Sequence, residues 1–424
     1  MNRKFYLRTF LIGLAFMSIS AFWQLYDNAI PLMLQKTFHV SDGVSGWIMA
    51  ADNILAVVLL PLFGALSDRV HTPFGKRKPF IILGSFAAAA VMLFVPLANK
   101  TGNLIAFFAI VGVLLIIMST YRSPAVALMP DVTPKPLRSK GNAVINLMGA
   151  LGGIMTYLII ALFIKDKSLT NYPYVFAIIA GFMVTCAIIL GLTVHENKLA
   201  AEMPPEPEET TENGKAAPMP RAVKKSLIFL LLSVSLWFMA YNAVNTAYSR
   251  YVENVWNIPQ GTGATMMIIA MLVATAAYLP IGIISSKLGR KKVILGGVIL
   301  LAVAFGTGML MPGYSVVAYV IMALIGIGWA AINVNSYPMV VEMSKGSNVG
   351  KYTGLYYTFS MSAQILTPIL SGYLFEHLPG GYKVMFPYAL IFSALAFLTM
   401  LPVRHGDNRP SAPKNALESF DVED

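Results

Sequence analysis

Charge is what this sequence has least of. Asp, Glu, Lys and Arg together make up 12% of its 424 residues, against about 25% in a soluble domain, so an ordinary water-soluble globule is excluded. Cys186 is the one cysteine, and no intramolecular disulfide can form. The polar segments hold no G-x-x-x-x-G-K-[ST] loop, so no phosphate cradle couples ATP hydrolysis to work. The apolar segments hold no His-x-x-x-His or Gly-x-Ser-x-Gly cluster, which leaves an intramembrane enzyme without its catalytic groups. No cofactor and no metal site is expected.

What is present is apolar residue, at 57% of the chain. It falls into twelve stretches, near 9–34, 45–67, 79–98, 103–129, 142–164, 173–194, 226–252, 262–286, 293–311, 315–341, 350–375 and 382–402. Each can cross a hydrocarbon layer of roughly 30 Å as a helix rising 1.5 Å per residue. The expected class is an all-α integral membrane protein. Of the 31 Lys and Arg, Lys36, Lys100, Lys165, Lys167 and Lys383 fall on one side, Arg122 and Arg250 in or beside spans, and all the rest on the side of the termini. The positive-inside rule then places both termini in the cytoplasm of a cell whose cytoplasmic membrane holds the protein. The net charge of +11 follows from this asymmetry and suits contact with anionic lipid headgroups. The basic runs are loop-sized, and no nucleic-acid partner is expected. Arg3, Lys4 and Arg8 precede the first span as they would in a signal peptide, but eleven further spans and a polar cluster inside the first favour a retained helix. Asn99-Lys100-Thr101 matches a glycosylation sequon in a very short loop, where coincidence is the better account.

From 195 to 225 the composition changes. Pro204, Pro205, Pro207, Pro218 and Pro220 surround an acidic run of Glu206, Glu208, Glu209 and Glu212, a composition that cannot bury apolar surface and reads as a disordered cytoplasmic linker. It separates a lobe at 1–194 from a lobe at 226–404, and a polar tail at 405–424 with Pro410 and Pro413 is also expected to be disordered. Each lobe carries a basic hinge between its second and third spans. Gly64, Asp68 and Arg69 lead through Gly75 to Lys76, Arg77 and Lys78. Half a chain length later, Gly282, Ser286 and Lys287 lead through Gly289 to Arg290, Lys291 and Lys292. Asp131 and Glu342 end spans four and ten and can supply counter-charges. Asp68 could cap a helix of the other lobe, making a latch that forms when the cytoplasmic side closes. Because Ser286 and Lys287 replace Asp68 and Arg69, the second hinge is expected to serve mainly as a membrane anchor. Gly64, Asp68, Arg69, Gly75, Lys76, Arg77, Asp131 and Glu342 are the gating candidates.

Polar side chains at membrane depth are costly and therefore candidates for function. Gln24, Asp27 and Asn28 share one face of span one. A carboxyl in a low-dielectric site resists ionisation, as a proton carrier must, and Asp27 and Asp52 are the candidates for that role. Arg122 is too deep to reach water easily and needs an acidic partner, for which Asp27 is the choice. Asn146 of span five, Tyr241, Asn242 and Asn245 of span seven, Trp329 and Asn333 of span ten, and Tyr357 and Gln364 of span eleven complete the candidate substrate site with Gln24, Asp27, Asn28 and Arg122. Amides and carboxylates exchange hydrogen bonds with hydroxyls, and flat rings stack on the C–H face of a sugar.

The two lobes, the cytoplasmic linker and the hinge from Gly64 to Lys78 resemble the major facilitator superfamily. The resemblance implies twelve transmembrane helices in two pseudo-symmetric six-helix lobes that rock about a midplane site. Three stretches are similar to the glycoside–pentoside–hexuronide cation symporters and the sucrose–proton symporters. These are Pro61-x-x-Gly64-x-x-x-Asp68-Arg69 with Gly75-Lys76-Arg77-Lys78-Pro79-Phe80, Pro124 followed by Asp131, and Asn142-Ala143 through Leu147, Ala150, Gly152 and Ile154. That similarity implies a sugar or glycoside as substrate and a coupling ion. Ala56 and Leu60 stand where melibiose-type members carry aspartates, which points to a proton rather than sodium. Leu115 to Ile117 and Asn245-Thr246-Ala247 stand where sucrose symporters carry their aspartates. The expected function is secondary transport by a monomer. The rivals are an efflux carrier for amphipathic compounds, which 24 Met would suit, and a non-transporting receptor on the same scaffold.

Overall fold

A computed structural model describes residues 3–202, 220–343 and 349–407, and among them the secondary structure is helical with no β-strand. The first half contains α1 (Arg3–Lys36), α2 (Asp42–Arg69), α3 (Lys78–Met92), α4 (Phe94–Thr101), α5 (Leu104–Asp131), α6 (Lys135–Phe163), α7 (Tyr172–Thr193) and the short α8 (Glu196–Ala201). The second contains α9 (Arg221–Asn254), α10 (Gln260–Leu288), α11 (Arg290–Leu310), α12 (Val317–Glu342), α13 (Val349–His377) and α14 (Met385–Met400), the last preceded by a 3₁₀ turn at Gly381–Val384.

Twelve spans result, with α3 and α4 counted as one. The break between them at Leu93 has a cause: Pro96 lacks the N–H that would bond to the carbonyl of Met92. Eleven spans are long and apolar enough to cross a membrane. The twelfth, α13, has 29 residues, but Tyr, Thr, Ser and Gln side chains dilute its hydropathy, and several of these line the central cavity described below. Observed ends exceed the expected ones most at α1, α6 and α9, whose polar first turns continue the helix beyond the apolar stretch.

Two parts of the expected linker are structured: α8, and the beginning of α9 at Arg221. The Pro- and Glu-rich run between them lies outside the described residues, as does the tail beyond 407.

Within the first lobe α1 packs on α6 and α7, and α3 packs on α5 and α7. Within the second, α12 packs on α10 and α11, and α14 on α9 and α11. The lobes meet along two helix pairs, α2 with α13 and α6 with α10. These two seams flank the space in which the polar side chains converge. The face carrying α8 and the starts of α1 and α9 is the terminal face, and the opposite one is the far face.

Candidate functional site

Two adjoining cavities lie between the lobes. The larger, about 700 Å³, is lined by Asn53, Arg122, Asn142, Asn146, Trp329, Asn333, Tyr357 and Gln364, with Leu60 and Val126 toward the terminal face. The smaller, about 390 Å³, lies toward the far face and is lined by Gln24, Asp27, Asp52, Arg122, Asn242, Asn245 and Gln364. Trp23, Arg122, Asn53 and Gln364 border both. The first is a wall of amides, hydroxyls and rings, with Arg122 as its charged member. The second gathers two carboxylates with that same arginine.

Local structure explains these orientations. On α1, Trp23, Gln24 and Asp27 fall on one face because three or four residues complete a turn. The Gln24 amide donates to the hydroxyl of Tyr157 on α6 at 2.7 Å, which fixes its rotamer. Asn53 donates to Asp52 at 2.8 Å. The guanidinium of Arg122 sits over the Trp23 ring, 5.5 Å from its centroid, a cation–π contact that holds the charge at the junction of the two cavities. In the second lobe Trp329 lies flat on Tyr241, with centroids 3.9 Å apart and planes 11° from parallel, and Phe238 meets it edge-on. Asn333 donates to the hydroxyl of Tyr278 at 2.9 Å. The side-chain nitrogen of Asn242 is buried with no hydrogen-bond partner among the described residues, a donor available to a ligand in the smaller cavity.

Ten of the twelve expected substrate residues therefore border the cavities. Asn28 and Tyr241 do not. Asn28 is buried, donates to the Gln24 carbonyl at 2.7 Å and offers its own carbonyl to Gln260 of the other lobe, so it belongs to the seal between lobes. Tyr241 lies behind Trp329 and buttresses it. Asp27, Asp52 and Arg122, expected to carry the proton, share the smaller cavity. Trp23, Tyr157 and Tyr278 were missed. Trp23 had a signal, since it precedes Gln24 on the polar face of span one, whereas the two tyrosines sit in apolar surroundings that mark them only as core.

The far face is sealed by polar contacts between lobes. Asp42 at the start of α2 accepts from Arg250 of α9 at 3.2 Å and from the hydroxyl of Tyr382. Lys36 at the end of α1 pairs with Glu253 of α9 and donates to the Lys167 carbonyl. Lys167 reaches Asn257, and the Gly43 amide donates to Glu376 at 2.9 Å. In the loop that carries Lys167, the hydroxyl and amide of Ser168 hold the Asp166 carboxyl below its ordinary range. Backbone meets backbone as well. Gly46 packs on the Pro368 carbonyl, Gly372 on that of Asp42, and Gly261 on that of Ile164, to which its own amide donates at 3.0 Å.

At the terminal face each lobe ties its basic hinge to itself. Arg77, almost fully buried, donates through Nε to Asp131 at 2.9 Å, pairs with Asp68 and reaches the Gly64 carbonyl at 3.2 Å. Lys76 reaches Asp131 at 3.1 Å. Asp68 is thus engaged within its own lobe rather than with a helix of the other. Arg69 is exposed at the end of α2, so Asp131 serves Arg77 and Lys76 instead. Gly75, at φ +117°, makes the turn that lets the amides of Lys76, Arg77 and Lys78 converge at 2.8–3.1 Å on the buried carboxylate of Glu196, which caps α3. The second hinge repeats the plan: Gly289 has φ +90°, Arg290 pairs with Glu342, and Asp407 accepts from the Lys291 amide at 2.8 Å. The expectation that it is mainly a membrane anchor misses this built ion pair.

Comparison with known proteins gives a consistent picture. The family model described as Major Facilitator Superfamily matches residues 12–275 and 230–421. The chain is 27% identical to the sucrose transport protein SUC3 of Arabidopsis thaliana over 154 residues, 32% of this chain and 26% of that one. It is 23% identical to multidrug resistance protein 2 of Bacillus subtilis over 82% of this chain and 84% of that one. Among solved structures, a bacterial homologue of the human lysosomal transporter Spinster, in an inward-facing and unoccupied conformation, superposes with a TM-score of 0.71 at 15% identity, covering 97% of this chain and all of that one.

Proposed function

The chain belongs to the major facilitator superfamily as a multi-pass membrane transporter, and from that premise we propose that it carries a sugar or glycoside across the cytoplasmic membrane by proton symport. Both termini are cytoplasmic in this reading, and the sealed far face is external. The cavity wall carries it: amides of Asn146, Asn333 and Gln364 facing a tryptophan already laid flat on Tyr241. Polyhydroxylated rings need in-plane hydrogen bonds and an apolar face at once, and this wall offers both. Similarity to a sucrose transport protein supports the same substrate class.

The proton step falls to the smaller cavity. Asp27 and Asp52 line the same cavity as Arg122, and neutralising a carboxyl would free the guanidinium for substrate or for another helix. Two lobes joined along the far seams would then rock, with loading from one face and release at the other. The chain works as a monomer in this scheme.

Right-side-out vesicles loaded with the protein should take up mono- or disaccharide faster with an inward pH gradient. Asp27→Asn should abolish the gradient dependence, and Arg122→Gln should abolish uptake. Equal uptake with and without the gradient refutes the proton part, and normal uptake by both variants refutes the site. A second reading, efflux of amphipathic compounds, is favoured by Met271 and Met361 at the cavity walls and by the similarity to a multidrug resistance protein. Thermal shifts with lipophilic cations but not with sugars would select it.

A further inference from the structure

The carboxylates of the central cavity are not the ones nearest the external solution in the proposed orientation. Glu253 stands on α9 at the far seam, and its side chain is 5% exposed. One oxygen pairs with Lys36 of the other lobe, and the other, Oε2, has no hydrogen-bond partner among the described residues. A buried carboxylate ordinarily satisfies both oxygens. At the same seam between the lobes, the Tyr172 hydroxyl, the Arg250 Nε and the Gln260 Oε1 are also buried without partners among the described residues. The seal is therefore closed but incompletely bonded, and opening would give each of these atoms water.

The charged and titratable groups around Glu253 come from every element packed there. Lys36 lies on α1, Lys167 and Asp166 on the loop before α7, Tyr172 on α7, Arg250 on α9 itself, and Asp42 and Tyr382 bind Arg250 from α2 and the 3₁₀ turn. Arg250 is occupied by Asp42. Lys36 is thus the cation that holds Glu253, and at 28% exposure it meets the solution. Taking up a proton would remove the charge from Glu253, break the ion pair that ties the end of α1 to α9, and leave Lys36 free to move to water.

We propose that Glu253 is a proton-binding site of the far gate, separate from the central cavity, through which protons from the far-face solution open that gate. The site couples the ion to gate opening, whatever the cargo, and it stands even if the sugar reading fails. In an importer it would favour opening on the side from which protons arrive.

The test uses the full chain in nanodiscs, with Cys186→Ala and spin labels at Thr101→Cys and Ser315→Cys, exposed positions of the two lobes at the far face. Distance distributions are recorded from pH 8 to pH 5. One proton allows the open-to-closed ratio to rise by up to about tenfold per pH unit, and a rise approaching that slope is expected. Glu253→Gln should show the open population at every pH. Lys36→Met, which leaves the carboxyl in place but removes its partner, should also be open at pH 8. Glu376→Gln, at another carboxylate of the far seam that can still accept from the Gly43 amide, should keep the wild-type response. A wild-type pH profile in Glu253→Gln or in Lys36→Met overturns the proposal, and so does loss of the response in Glu376→Gln, which would assign it to another carboxylate of the seam.

Discussion

A methyl group at Gly46 should hold the far gate open. A Cβ built there would overlap the Pro368 carbonyl, lying 2.8 Å from its carbon and 3.1 Å from the Cα of Ile369. Carbon atoms in contact sit about 3.5–4.0 Å apart, so α2 and α13 would have to separate by roughly 1 Å at a place where neither side is a flexible side chain. Overpacking of this kind costs about 1–3 kcal/mol. Only the far-closed state bears that cost, because the two helices belong to different lobes. The closed-to-open ratio should fall by about five- to 150-fold, at 1.4 kcal/mol per factor of ten. Labelling of a cysteine at Asn245 by a membrane-impermeant maleimide, applied from the far side, measures this, and Gly46→Ala should accelerate it. Two controls give the result its meaning. Gly152→Ala is just as tight, 2.9 Å from the Met17 carbonyl carbon, but within one lobe, so it should lower the Tm without changing accessibility. Gly112→Ala meets nothing within 4 Å and should do neither. A folded Gly46→Ala protein with unchanged labelling would refute the claim that the α2–α13 seam is the gate.

Three further outcomes are expected. Trp329→Ala should weaken sugar binding by about two- to tenfold, the equivalent of a lost stacking contact of about 0.5–1.5 kcal/mol, read by calorimetric titration. Asp131→Asn removes one of two acids from a nearly buried Arg77 and should destabilise the first lobe by about 1–3 kcal/mol, seen as a lower Tm, whereas Arg69→Gln should leave it unchanged. Glu196→Gln gives up the carboxylate shared by three amides, and hydrogen exchange at residues 76–78 should rise at least about fivefold, the equivalent of about 1 kcal/mol.

Local signals in the sequence carried the helices and most of the cavity. Hydropathy placed the twelve spans, missing mainly the polar first turns of α1, α6 and α9, because hydrocarbon demands a similar apolar length of each span. Polar residues at membrane depth marked the cavity lining because a charged group is too costly against hydrocarbon for Asp27, Asp52 or Arg122 to face lipid. The far seal was illegible by the same criterion. Lys36, Asp42, Arg250 and Glu253 sit at the ends of spans, where charges are ordinary, and their pairing depends on how two lobes separated by more than two hundred residues align. Glu196 was hidden for a related reason: it follows a span and precedes a Pro- and Glu-rich run, so composition assigned it to the linker, although three amide hydrogens hold it at the hinge. Tyr241 shows the opposite error. Its helical spacing placed it on the right face, but the ring of Trp329, stacked in front, covers it.

The charges across the far seam are crossed. The first lobe offers Lys36 and then Asp42, and the second offers Glu253 and Arg250 one helical turn apart on α9. A closure displaced by one turn along α9 would set Lys36 against Arg250 in one direction or Asp42 against Glu253 in the other, each time replacing two attractions by one repulsion and leaving the other charges unpaired. The seam therefore proofreads its own alignment. In the proposed rocking cycle, only the register that restores both pairs would be held long enough for the glycine contacts to seat, and a misaligned closure would be pushed apart before it could trap cargo.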